Sequence, residues 1–76
     1  MKELVEFIAK NIVDTPKEIS IEETNENGFD ILKLKVAQED MGKVIGKSGK
    51  IIKAIRNMVK IKAIKENKRI RLELVE

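Results

Sequence analysis

The chain of 76 residues contains no cysteine, histidine, tryptophan or tyrosine. Without cysteine there are neither disulfides nor thiolate metal ligands, which fits a reducing compartment. Without histidine and cysteine, the usual general base, the thiol nucleophile and the soft metal ligands are missing. We therefore expect a protein that is not an enzyme, with no metal, no cofactor and no small-molecule substrate.

Signals for membranes and secretion are also missing. No apolar run approaches the length needed to cross a bilayer. The opening Met-Lys-Glu-Leu-Val-Glu places acids where a signal peptide would have its apolar core. We expect a cytoplasmic protein that does not associate with membranes, and the length suits one small domain over residues 1–76.

The charges are divided unevenly along the chain. Residues 1–40 carry 5 basic and 10 acidic side chains, whereas residues 41–76 carry 11 basic and 3 acidic ones. Residues 41–65 contain eight basic side chains and no acid. A charge run is often only a solvated surface, but this one surrounds a glycine-rich segment, which favours a binding surface for a polyanion.

Apolar periodicity predicts the elements. The spacing is helical over residues 2–13, and it alternates over residues 18–24, 29–36 and 69–75. Helical spacing also occurs on both sides of residues 46–49, as a short helix before them and a long helix to about Lys65 after them.

Two side-chain placements and the strand pairing follow from these elements. Phe7 and Val13 are expected to pack in the core, and Phe29 and Ile31 to share the outer strand face with lysines. Asn27-Gly28 predicts a hairpin between the first two strands. The last strand should pair in parallel after a two-helix crossover.

The segment Val-Ile-Gly-Lys-Ser-Gly-Lys-Ile-Ile, residues 44–52, joins the two helices. We expect Gly46 to end the first helix in the left-handed conformation and Gly49 to allow close approach of a ligand. Backbone N–H groups, a helix start and Lys47 together favour a phosphate. Residues 42–48 also read almost like a nucleotide-binding P-loop, but that motif needs four residues between its glycines before Lys-Ser, and this stretch has three, which argues against a nucleotide triphosphatase.

This segment resembles the (Ile/Val)-Ile-Gly-x-x-Gly-x-x-Ile signature of the KH domain, a module that binds single-stranded nucleic acids. The opening helix, residues 40–43 and residues 65–69 extend the likeness to a bacterial family of single-KH-domain, KhpA-like proteins. The resemblance implies an α+β fold: a single KH domain with the type II order α-β-β-α-α-β. A three-stranded mixed sheet would carry the helices on one face.

The resemblance also implies a function, in which the Gly-x-x-Gly loop clamps the backbone of about four nucleotides of single-stranded RNA. Carried over by position, the implied RNA-binding residues are Gly46, Lys47, Ser48, Gly49, Lys50, Lys43 and Lys53. Arg56 and Lys60 could extend the basic track or be solvated surface. Groove wall or underlying core would come from Val44, Ile45 and Ile52, with core favoured for the two isoleucines.

Aromatic residues are scarce, with only two phenylalanines. Stacking on aromatic rings supplies much of the affinity of many single-strand binders. We therefore expect weak binding of low specificity that is sensitive to salt. The resemblance implies further that the chain acts as an RNA chaperone or post-transcriptional regulator, as a dimer or beside a larger RNA-binding partner.

The long helix carries more apolar residues than one buried stripe requires, since they span an arc of roughly 200°. Singly exposed isoleucines are common on monomers, which leaves ordinary surface as one interpretation. The other is a surface for a homodimer or heterodimer, formed by Ala54, Asn57, Met58, Ile61 and Ile64. A KH-shaped interaction module that no longer binds RNA is the alternative function; Lys47 and Ser48 favour RNA.

Overall fold

Three α-helices and three strands follow the order α-β-β-α-α-β in the computed structural model, which describes residues 1–75. The elements are α1 (Lys2–Lys10), β1 (Ser20–Glu26), β2 (Phe29–Lys35), α2 (Met41–Ile45), α3 (Lys50–Lys65) and β3 (Ile70–Val75). Short 3-10 turns lie at Pro16–Glu18, Gln38–Asp40 and Lys47–Gly49. The expected α+β class and element order are confirmed.

The strands form one mixed sheet in the order β1-β2-β3. β1 and β2 pair antiparallel around Asn27 and Gly28, whose positive φ angles of 52° and 84° suit a tight hairpin turn. β3 pairs parallel to β2, with Leu72 opposite Leu32, because two helices carry the chain back across the sheet.

The core lies between the helices and one face of this sheet. Leu32 and Leu34 of β2 are fully buried there against Val5 of α1, Val44 of α2 and Val59 of α3. The remaining buried members of the cluster extend it along the same face: Ala9, Val13, Ile21, Val36, Ile52, Ile55 and Leu72. Among the helices of residues 1–75, none has the length and apolarity needed to span a bilayer.

The first helix differs from expectation in two respects. It ends at Lys10, because the Asn11 side-chain amide donates to the Phe7 carbonyl at 2.7 Å and turns the chain, although Val13 is still buried. The expected core position of Phe7 is wrong, since its side chain is 67% exposed. Phe7 lies about 200° around the helix from the buried Val5.

The outer face of the sheet is not uniformly solvated. Ile31 lies on this face, as expected, but is only 3% exposed. Its cross-strand neighbours are Thr24 and Arg71, and Phe29 is two residues away on the same face. Long side chains can cover an apolar neighbour while their polar ends stay in water.

The end of α3 is fixed by a Schellman motif. Asn67 has a φ of 57°, and its N–H donates to the Ile64 carbonyl at 3.2 Å. The N–H of Lys68 donates to the Ala63 carbonyl at 2.8 Å, which completes the motif. The side-chain hydrogen bond from Lys62 lowers the pKa of the exposed Glu66 carboxyl in the same turn. Any stabilisation by this pair is therefore lost as the pH falls through the lowered pKa.

Candidate nucleic-acid interface

Residues 46–49, here called the tip, join α2 to α3 through three positive φ angles. Gly46 has φ 77° and ψ 172°, a region open essentially to glycine alone, whereas Gly49 has φ 72° and ψ 15°. Gly49 rather than Gly46 therefore holds the left-handed helical conformation, which corrects the expectation. Ser48 also has positive φ, at 58°.

The absence of a side chain on Gly46 lets another residue of the same chain, Ile51, come close to its backbone. A Cβ atom on Gly46 would lie 2.5 Å from Ile51 Cγ1 and 2.8 Å from the Ile51 backbone nitrogen. The first turn of α3 thus packs directly on the Gly46 backbone. At Gly49 the nearest atom is Lys53 Cε at 4.0 Å, so conformation alone requires glycine there.

Two amides of the tip point to a role in binding. The N–H of Gly49 donates to the Gly46 carbonyl at 3.1 Å, and the N–H of Lys50 donates to the Lys47 carbonyl. Across residues 1–75, the N–H groups of Lys47 and Ser48 have no hydrogen-bond acceptor, and both residues are exposed. Two free donors beside Lys47 and Lys50, at the start of a 16-residue helix, suit a phosphate group.

The remaining basic residues expected at the tip fall into two groups. Lys53 lies exposed one turn into α3, on the tip side. Lys43 is engaged elsewhere, because its ammonium group pairs with the Asp14 carboxylate that follows α1. The pair is exposed, so it weakens the contribution of Lys43 to the tip without burying its charge.

The three apolar residues beside the tip lie in two different environments, the core and a surface groove. Val44 and Ile52 belong to the core. Ile45 is half-buried and lines a groove of about 630 Å³, together with Met41 and with Val75 at the end of β3. Of the three, Ile45 is therefore the residue open to a ligand, which departs from the core position favoured for it.

Asp40 has a structural role that sequence reasoning missed. Its carboxylate is 1% exposed and accepts hydrogen bonds from the backbone N–H groups of Asp14 at 3.2 Å and Thr15 at 3.0 Å. These bonds tie the segment after α1 to the start of α2. From the sequence alone, Asp40 is only one of two acids in or before the first turn of a helix, where the helix dipole favours negative charge.

A second groove, of about 640 Å³, lies between the C-terminal half of α3 and the start of β3. Five cationic side chains line it, with one acid, Glu73: Arg56, Lys60, Lys68, Arg69 and Arg71. Arg56 Nε also donates to the Leu72 carbonyl at 3.2 Å, on the free edge of the sheet. Lys68, Arg69 and Arg71 were not among the expected site residues. Alternation over residues 69–75 is the signal for two of them, because apolar residues at 70, 72 and 74 that face the core leave Arg69 and Arg71 facing outward.

The expected association surface is exposed in full. Ala54, Asn57, Met58, Ile61 and Ile64 all lie on the open side of α3, with Ile61 51% and Ile64 64% exposed. Ile64 also lines the basic groove beside β3. Within residues 1–75, acidic side chains form no group of three that could hold a metal ion.

The element order, the mixed sheet and a Gly-x-x-Gly tip between two helices define a KH domain in the type II arrangement. The family described as "KhpA/KhpB, KH domain" matches residues 2–74, and the chain belongs to this family. The match covers nearly all of the residues that the structure describes.

Similar proteins come from several bacteria. "RNA-binding protein KhpA" of Clostridium acetobutylicum is 55% identical over 75 residues, which is 99% of this chain and 100% of that protein. The protein of the same name from Clostridium perfringens is 56% identical over the same shares, and that of Chlamydia pneumoniae is 45% identical over 100% of this chain and 97% of its own. These relatives are named as binding proteins rather than enzymes, in agreement with the expectation for this chain.

Proposed function

We propose that the chain is an RNA-binding protein that holds the backbone of single-stranded RNA at the tip. One observation carries the proposal: Lys47 and Ser48 present free N–H groups to solvent between two glycines, at the start of α3. The names of its relatives support RNA as the polyanion. Gly46 and Gly49 shape the loop, and Lys47 and Lys50 supply charge next to the phosphates.

Positively charged side chains continue from the tip along α3. Lys53, Arg56 and Lys60 follow at spacings of three and four residues, which places them on one helix face. Ile45 offers an apolar wall beside the tip for an unstacked base. Val44 and Ile52 support the loop from the core, and Lys43 contributes once it leaves Asp14.

The chemistry of this surface implies weak binding with little sequence preference. Contacts to phosphates dominate it, and such contacts release counterions, so affinity falls steeply with salt. A dimer would raise the affinity by joining two weak sites at high effective concentration. The exposed residues Met58, Ile61 and Ile64 of α3 support association with a second copy or with a larger RNA-binding partner.

In such an assembly the chain would act as an RNA chaperone or post-transcriptional regulator in the cytoplasm. The alternative, an interaction module without RNA binding, draws on the same exposed apolar residues of α3. A direct binding measurement separates the two functions.

The test is fluorescence anisotropy of a short single-stranded RNA at low and near-physiological salt. The double variant Lys47→Asp/Ser48→Asp should lose at least about tenfold in affinity, since it replaces the cation and sets carboxylates against the phosphates. Aspartate tolerates the positive φ of Ser48 better than most residues, so the fold should persist, as circular dichroism can check.

The control is Lys17→Asp/Ser20→Asp, which makes the same chemical changes at two exposed positions, one before β1 and one at its first residue, two strands from β3. If this control loses as much affinity as the tip variant, the attraction is diffuse and the tip is not the site. If wild type binds no RNA even at low salt, the interaction-module function is correct.

A further inference from the structure

Arg69 and Arg71 lie beside the aromatic ring of Phe29, the first residue of the central strand β2. Arg71 Cζ lies 5.2 Å and Arg69 Cζ 5.9 Å from the centre of the Phe29 ring. Phe29 is half-buried, whereas both arginines are exposed. The half-buried ring therefore holds two guanidinium groups at the surface through cation–π attraction.

The parallel pairing of β2 and β3 creates this cluster. Asp30 is opposite Ile70 in the register, and the Asp30 N–H donates to the Arg69 carbonyl at 2.8 Å. Phe29 is thereby brought beside the start of β3, although it belongs to the acidic half of the sequence. The side chains of Phe29, Arg69 and Arg71 all line the basic groove between α3 and β3.

The cluster and the tip lie at opposite ends of α3. The tip precedes Lys50, and Arg69 follows Lys65 by four residues. Sixteen helical residues at about 1.5 Å each separate the two sites by roughly 24 Å. Arg56 and Lys60 line the groove on the α3 side, so positive charge spans the interval.

We propose that Phe29, Arg69 and Arg71 form a second contact site for single-stranded RNA, reached by the strand that the tip holds. This inference rests on the proposed function. The two arginines contact phosphate or stack under a base with their guanidinium planes, and Phe29 positions them. RNA longer than the tip's own segment of about four nucleotides then gains contacts that a shorter RNA cannot make.

Chemistry favours RNA over an acidic protein segment at this site. Flat guanidinium groups beside a ring suit stacked bases as well as phosphates, whereas a carboxylate partner would use the charge alone. The cationic lining of the groove also connects to the α3 charges that lead to the tip. A polymer with one negative charge per residue can follow such a path continuously.

The test compares single-stranded RNAs of about four and about twelve nucleotides, because only the longer can reach both sites. Arg69→Gln/Arg71→Gln should weaken binding of the long RNA about tenfold and of the short RNA less than about twofold. The slope of log K against log salt for the long RNA should become shallower by about 0.7 for each of the two arginines that contacts a phosphate. Phe29→Leu keeps an apolar side chain but should lose part of the same length dependence.

Lys2→Gln/Lys17→Gln is the matched control, since it removes two exposed positive charges away from the groove. The inference is overturned if this control equals the arginine variant, if the arginine variant leaves long-RNA affinity unchanged, or if it weakens both lengths equally. Failure of the proposed function shows differently: the tip variant Lys47→Asp/Ser48→Asp would then bind both RNAs like wild type. Urea unfolding of each variant excludes loss of fold as the cause.

Discussion

At the scale of single residues, Gly42 before the tip and Gly46 within it differ in whether the structure has room for a Cβ atom. Gly46 combines a φ of 77° with contacts to Ile51 that leave no room for a Cβ atom. Gly42, one turn earlier in α2, has no atom within 4 Å of a Cβ position, and its backbone is helical. The same substitution should therefore destabilise the protein at one position and stabilise it at the other.

Gly46→Ala should lower the free energy of unfolding by about 2–4 kcal/mol, from backbone strain and the clash with Ile51. Gly42→Ala should raise it by about 0.5–1 kcal/mol, because alanine restricts the unfolded chain and favours the helix. Urea denaturation of both variants measures the difference. Equal effects at the two positions would contradict the geometry of the tip.

The sequence predicted this region unevenly. Two glycines flanking Lys-Ser, between helical patterns, are enough to predict a glycine-framed turn at residues 46–49. The close packing of Ile51 on Gly46 could not be predicted, because it depends on the angle at which α3 leaves the tip.

At the scale of elements, the segment after α1 is attached to α2 by two carboxylates. Asp40 accepts hydrogen bonds from the backbone of Asp14 and Thr15, and the Asp14 side chain pairs with Lys43. The buried bonds fix the segment, whereas the exposed ion pair adds little stability. This ion pair should matter more for function than for stability, since it holds Lys43 beside a negative charge near the tip.

Asp14→Asn should therefore raise affinity for single-stranded RNA by about threefold at low salt, because it frees Lys43 and removes a negative charge. The free energy of unfolding should change by less than about 1 kcal/mol. Anisotropy titration tests the affinity. Glu6→Gln is the control: it breaks a comparable pair with Lys10 on α1 and should leave RNA binding unchanged. Equal gains from both variants would show a general effect of net charge.

The elements themselves were predictable because periodicity is local information. Helical spacing and alternation placed every strand and helix, and the two-helix crossover set the parallel pairing of β3. The meeting of Phe29 with Arg69 and Arg71 was not predictable in this way, since it requires the register between strands forty residues apart along the chain. Both phenylalanines lie in the acidic half of the sequence, so composition by itself does not indicate that Phe29 contacts arginines.

At the scale of the whole molecule, the proposed RNA-binding surface and the proposed association surface occupy neighbouring parts of α3. Ile61 and Met58 are exposed beside Lys53, Lys60 and Lys65. Two copies that meet through this helix would bring lysines near one another, because residues 41–65 contain no acid. Salt should then have opposite effects on the two activities: screening favours self-association and weakens RNA binding.

Ile61→Asp tests the association surface directly. Wild type should sediment above the monomer mass of 8.7 kDa, and more so at higher salt, whereas the variant should sediment as a monomer. Phe7→Asp is the control, because it places the same charge on an exposed apolar residue of α1. A short RNA should bind the Ile61 variant with an affinity reduced by less than about threefold, since the tip is intact. If wild type is monomeric at every salt concentration, self-association fails, and the exposed residues of α3 are either ordinary surface or the contact for a different partner. If Phe7→Asp dissociates the protein equally, the surface lies on α1 as well.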